Sequence, residues 1–60
     1  MPQVNIEGPA IDLETKRTLA EELTAAACKA YSLPKETIVV IFKENKPENL
    51  SVGGQLICDR

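Results

Sequence analysis

Five consecutive apolar residues, Ile38-Val39-Val40-Ile41-Phe42, leave no polar side chain among them to turn toward water. Four of the five are β-branched, so the run reads as a strand, and its lack of alternation reads as a strand covered on both faces, as parallel strands tend to be. Such a strand must be roofed twice, yet the chain has 60 residues, enough for a single domain over 1–60 and no more. A domain of this length buries only about 60% of the surface its unfolded chain would expose.

The rest of the chain offers one helix and little else. Residues 2–7 alternate, with Val4 and Ile6 on one side and Gln3, Asn5 and Glu7 on the other, which predicts a strand. Gly8-Pro9 stops it. Asp12 stands at a helix N-cap position, and Glu14 follows where the dipole favours an acid. From Leu13 to about Tyr31 the period is helical, with Lys16, Leu19, Ala20, Leu23, Ala26, Ala27 and Ala30 on one stripe and Glu21, Glu22 and Lys29 largely opposite. Ser32-Leu33-Pro34 ends the helix, because Pro disfavours helical torsions in the residue before it. Lys43 to Ser51 is polar and contains Pro47, which predicts a loop, and Gly53-Gly54 opens a tail able to form a small hairpin. The fold class expected is α+β, a β-α-β unit whose helix crosses between two parallel strands. Two strands and one helix cannot cover both faces of the 38–42 segment. A second copy can, by pairing the units into a four-stranded sheet with helices packed on it.

Other sources of stability are poorly supplied. Two cysteines 30 positions apart, with no histidine, make neither a zinc site nor a disulfide framework. No metal and no cofactor is expected. With a net charge of −2 and Lys16-Arg17 as the one adjacent basic pair, the chain lacks the clustered basic face that nucleic acid requires. No apolar run approaches the ~20 residues of a membrane span, and no leader pattern precedes the first strand, so a cytoplasmic protein is expected.

Without histidine, the groups able to move protons near neutral pH are few. One is the α-amine, whose ordinary pKa of about 7.7–8.0 lies nearer neutrality than that of any side chain here, a thiol at about 8.5 being next. Met1 precedes Pro2, and a small second residue permits removal of the initiator methionine. The amine left behind is a secondary amine fixed in a ring. An apolar pocket or a neighbouring cation must lower its basicity for it to accept protons at pH 7. The alternative is that Met-Pro merely begins an edge strand.

The sequence Met1-Pro2 and a short strand, then Lys16-Arg17-x-Leu19 and Leu23-Thr24 in a helix, resembles the 4-oxalocrotonate tautomerase family of the tautomerase/MIF superfamily. Pro34, Ile38-Val39-Val40-Ile41, Glu44 and Asn49-Leu50-Ser51-Val52-Gly53-Gly54 continue the likeness. The Gly8-Pro9 turn and the ending Leu56-Ile57-Cys58-Asp59-Arg60 bring it nearest the DmpI-type branch. The resemblance implies a C-terminal hairpin added to the β-α-β unit, dimers assembled into a homohexamer, a small-molecule substrate, and Pro2 as general base. It also exposes a departure. Where the family carries an arginine before the helix and another in the second strand, this chain has Ile11 and Val39; where it carries a pocket aromatic, this chain has Leu50. Ile11, Val39 and Leu50 are thus the expected substrate-binding positions, with an apolar lining suited to singly charged or aromatic acids. Lys16, at one end of the helix stripe, has a side chain long enough to extend toward a pocket.

Three readings follow. The first is an isomerase interconverting enol and keto, or unsaturated 2-oxo, acids through Pro2. The second keeps the amine but makes the reaction a hydration or dehalogenation, with Glu44 activating water. The third is an oligomeric structural or binding subunit whose site has decayed. Gly53-Gly54 is a turn and not a phosphate cradle, which needs a longer glycine pattern running into a helix. Cys28 reads as a small packing residue, Cys58 lacks a histidine to activate it, and Tyr31 packs its ring at the helix end.

Overall fold

The computed structural model comprises all residues Met1–Arg60 and follows the order β1 (Gln3–Gly8), α1 (Leu13–Tyr31), β2 (Val39–Glu44), β3 (Ser51–Val52) and β4 (Gln55–Leu56). Single 3-10 turns at Lys35–Thr37, Pro47–Asn49 and Ile57–Asp59 join or end these elements. β1 and β2 pair in parallel from Gln3↔Val39 to Gly8↔Glu44, and β3 pairs antiparallel with β4. The expected β-α-β unit with a C-terminal hairpin is therefore the fold. No helix is long and apolar enough to cross a membrane.

Strand alternation divides the sheet cleanly. Val4, Ile6, Val40 and Phe42 are half-buried on the face that α1 covers. Gln3, Asn5, Glu7, Val39, Ile41 and Lys43 occupy the other face, where Glu7 and Lys43 form an exposed cross-strand pair at 3.5 Å. Ile41, inside the apolar run, is 44% exposed. The double cover expected for the 38–42 segment is thus absent within one chain: one roof is α1, and the other face is open.

On the helix, Lys16, Leu19, Ala20, Leu23, Thr24, Ala27 and Cys28 are the half-buried positions. Ala26 and Ala30, assigned to the stripe from sequence, are exposed; Thr24 and Cys28 take the positions facing the sheet. The offsets are the regular helical ones, and the excess of alanine from 25 to 30 hid which alanines belonged to the face. Asp12 is the N-cap, but its carboxylate accepts from the Thr15 hydroxyl instead of a backbone N–H of the first turn. At the other end Ser32 adopts a left-handed φ of 56°, and the Cys28 carbonyl accepts both the Ser32 N–H and, at 3.3 Å, the Leu33 N–H. Termination is therefore an αL cap reinforced by Pro34, and not the work of the proline alone.

Gly53 at φ 62° and Gly54 at φ 85° form the two-residue turn between β3 and β4, a backbone that other residues adopt only with strain. The hairpin packs on the Pro47–Asn49 turn and forms a sheet of its own.

No residue is fully buried, and the exposed area is 4756 Å². A compact monomer of 6.6 kDa exposes about 3,900 Å². The radius of gyration, 14.7 Å, likewise exceeds the roughly 10 Å of a compact 60-residue chain. The excess of some 900 Å² is about what one partner gives up in a stable protein interface.

Candidate active site

Pro2 is half-buried at the threshold of β1, with Met1 beyond it 91% exposed. Its carbonyl accepts the Val39 N–H at 3.1 Å, which extends the parallel ladder by one rung and fixes the Pro2 backbone at the start of β2. By strand parity the ring lies on the side of Val4 and Ile6, the side roofed by α1. Pro2 and Val39, both named from sequence, are thereby joined through the backbone, while the Val39 side chain, the register partner of Gln3, turns to the opposite face of the sheet.

Ile11 and Lys16 lie at the opposite end. The six residues of β1 rise about 20 Å, and the chain turns back into α1 only after them. There a cavity of about 250 Å³ opens between the strand ends and the first turns of α1, lined by Ile6, Ile11, Leu19 and Phe42, with Lys16 and Glu44 at its edge. Leu50 is in a third place, at the base of the hairpin, where its carbonyl accepts the Ile57 N–H at 2.8 Å. The four pocket positions and the proline do not meet inside one chain.

The charges at the far end are paired with each other. Glu44 Oε2 stands 2.9 Å from Lys16 Nζ and accepts the Ile11 N–H at 3.2 Å. The Lys16 hydrogen bond and then the Ile11 N–H hold the Glu44 carboxyl below its ordinary value, against a small opposing effect of desolvation. A carboxylate so occupied is a weaker proton acceptor than a free one. Nothing local in the sequence pairs Glu44 with Lys16 or Ile11, which lie 28 and 33 positions away. The signal that could have found them is parity: Val40, Phe42 and Glu44 share one face of β2, the face toward a helix stripe that carries a lysine.

The family model described as "Tautomerase enzyme" matches residues 2–60. A Bacillus cereus protein described as "Probable tautomerase" is 38% identical over 47 residues, which span 78% of this chain and 77% of that one. The crystal structure of DmpI from Archaeoglobus fulgidus superposes with a TM-score of 0.88 at 36% identity, covering 97% of this chain and 100% of its own. A heterohexamer 4-oxalocrotonate tautomerase from Chloroflexus aurantiacus superposes with a TM-score of 0.87 at 30% identity, covering 98% of this chain and 97% of its own.

Proposed function

We propose, from the premise that the chain belongs to the tautomerase family, that it is a cofactor-independent isomerase acting on enol or unsaturated 2-oxo acids through the nitrogen of Pro2. With Met1 removed, that nitrogen takes the proton of the enol hydroxyl and returns it to carbon. One O–H bond breaks, one C–H bond forms, and no electron acceptor is required. The observation that carries the reading is the position of Pro2. It is the first residue of the family match, held by its carbonyl on the first rung of the sheet, on the apolar side.

The pocket is composite in this reading. Pro2 comes from one subunit, while Val39, whose side chain turns to the other face of the sheet, and Ile11 and Leu50, distant from Pro2 within the chain, come from neighbours. Lys16 lends its stem to the lining, and its ammonium goes chiefly to Glu44. Assembly as a homohexamer of three dimers answers the surplus of exposed surface and the open sheet face. With Ile and Val where a second carboxylate would need cations, the substrate is a singly charged acid, aliphatic or aromatic.

Two measurements test this. Intact mass of the purified native protein is expected to lack Met1, and an NMR titration of the Pro2 nitrogen is expected to give a pKa clearly below that of free proline. A retained methionine, which makes that nitrogen an amide, or a pKa equal to free proline's, defeats the proposal. A solution mass near six times 6.6 kDa is the expected assembly.

A further inference from the structure

The segment that joins β1 to α1 is tethered at one point. Pro9 has no N–H to give, and Gly8 and Asp12, on either side, use their carbonyls for Asn45 N–H at 2.8 Å and Lys16 N–H at 3.1 Å. Between them, residues 9–11 make a single hydrogen bond, from the Ile11 N–H to Glu44 Oε2 across 33 positions of sequence. Beneath Ile11 lies the 250 Å³ cavity, so the side chain has somewhere else to go once the backbone is released.

We propose that Glu44 is a positioning residue for the substrate pocket: one carboxylate oxygen, shared by the Ile11 N–H and the Lys16 ammonium, fixes the backbone that presents Ile11 and so sets substrate affinity. The proposal rests on the reading that Ile11 lines the site. The parts of the tether are fitted to one another. Strand parity sends Glu44 toward α1, and Lys16, one turn into the helix and 28% exposed, holds the carboxylate from the other side. An ionised carboxylate is acceptor-only, so its oxygen cannot turn donor and repel the N–H, and its bond is charge-assisted. Glu44 touches no reacting atom; it acts through Ile11.

The test uses the assembled protein, with the enol of phenylpyruvate as probe, and two readouts. Glu44→Ala is expected to raise KM about fivefold with kcat little changed, and to speed hydrogen exchange at the Ile11 amide about tenfold or more while that of Leu19 holds. Glu44→Gln keeps an acceptor oxygen and is expected to restore both. If Glu44→Ala does not assemble, Glu44→Asp, which withdraws the carboxylate by one methylene, is read in its place. KM and Ile11 exchange rising together, and both returning in Glu44→Gln, support the proposal; any other pattern overturns it. Pro2→Ala, run alongside, separates the two readings. If it turns over the probe as well as the wild type, the base assignment fails, while the exchange data still report on the tether.

Discussion

Val39 donates its backbone N–H to the carbonyl of Pro2 at 3.1 Å, so the residue carrying the proposed base is braced by the first residue of β2. The Pro2 backbone is thereby held without using its nitrogen, which removal of Met1 would leave as a free amine. Replacing Pro2 by Ala leaves a primary amine that is neither ring-fixed nor of the same basicity. The expected loss in kcat/KM for the phenylpyruvate enol is about 10²-fold or more, measured by the decay of enol absorbance.

Restoring charge to the pocket is expected to change which acids are used. Ile11→Arg and Val39→Arg each place a guanidinium where the pocket is now apolar, and a hydrogen bond to a charged group contributes about 1.5–3 kcal/mol. Relative kcat/KM for a dicarboxylic over a monocarboxylic enol is therefore expected to rise by about 10- to 100-fold in either variant. An unchanged ratio in both would show that these positions do not face the substrate.

The Glu44–Lys16 pair gives a pH dependence with a defined sign. Lys16 and the Ile11 N–H lower the folded-state pKa of Glu44. Stability from this group is therefore present above the unfolded carboxylate value of about 4.3 and is lost as pH falls from there through the folded value. Lys16→Met removes the larger of the two causes. Denaturant titrations from pH 7 to pH 3 are expected to show the variant less stable at neutrality and the gap to wild type closing on the acid side. A gap that widens with acid contradicts the assignment.

Ile41 is 44% exposed on the sheet face that α1 leaves open. Ile41→Lys replaces an apolar side chain worth roughly 1.5–3 kcal/mol on full burial with a charge that resists it. The wild-type solution mass is expected to fall to that of a smaller species in the variant, by light scattering at micromolar concentration. No change in mass would mean that this face is not an assembly surface.

Ser32 is the one non-glycine residue at positive φ, 56°. Ser32→Gly removes the steric penalty of the left-handed cap and is expected to stabilise the fold by about 0.5–1 kcal/mol. A higher Tm with unchanged kcat/KM is the expected result, since the helix C-terminus carries no proposed role in catalysis.

Much of the fold is legible in local pattern. The helix limits at Leu13 and Tyr31, the alternation of Val4 and Ile6, and the Gly53-Gly54 turn all follow from periodicity and torsional preference acting over a few residues. The errors come from places where local preference is degenerate. Ala25, Ala26 and Ala30 are as apolar as Ala27, and only the sheet decides which of them it touches. Ile38 is as good a strand former as Val39, yet β2 starts at Val39 because the ladder begins with the Pro2 carbonyl. The site was less legible because its contacts are long-range. Lys16 and Glu44 were visible one at a time as a stripe cation and a strand-end acid. The ion pair between them, and the bond that ties both to Ile11, belong to the return of the chain after the helix.

The chain measures 43 × 24 × 13 Å, one helix laid on a two-stranded sheet with a small hairpin beside it. In a chain that thin no residue is fully buried, so a lone subunit has little low-dielectric interior in which to hold an amine neutral. Two unit charges 4 Å apart interact by about 1 kcal/mol in water and about 4 kcal/mol at the effective dielectric near protein surfaces. On the proposed reading, the insulation that makes the prolyl nitrogen a base at neutral pH is supplied by adjoining subunits, and a dissociated subunit is expected to revert to the protonation of an ordinary proline.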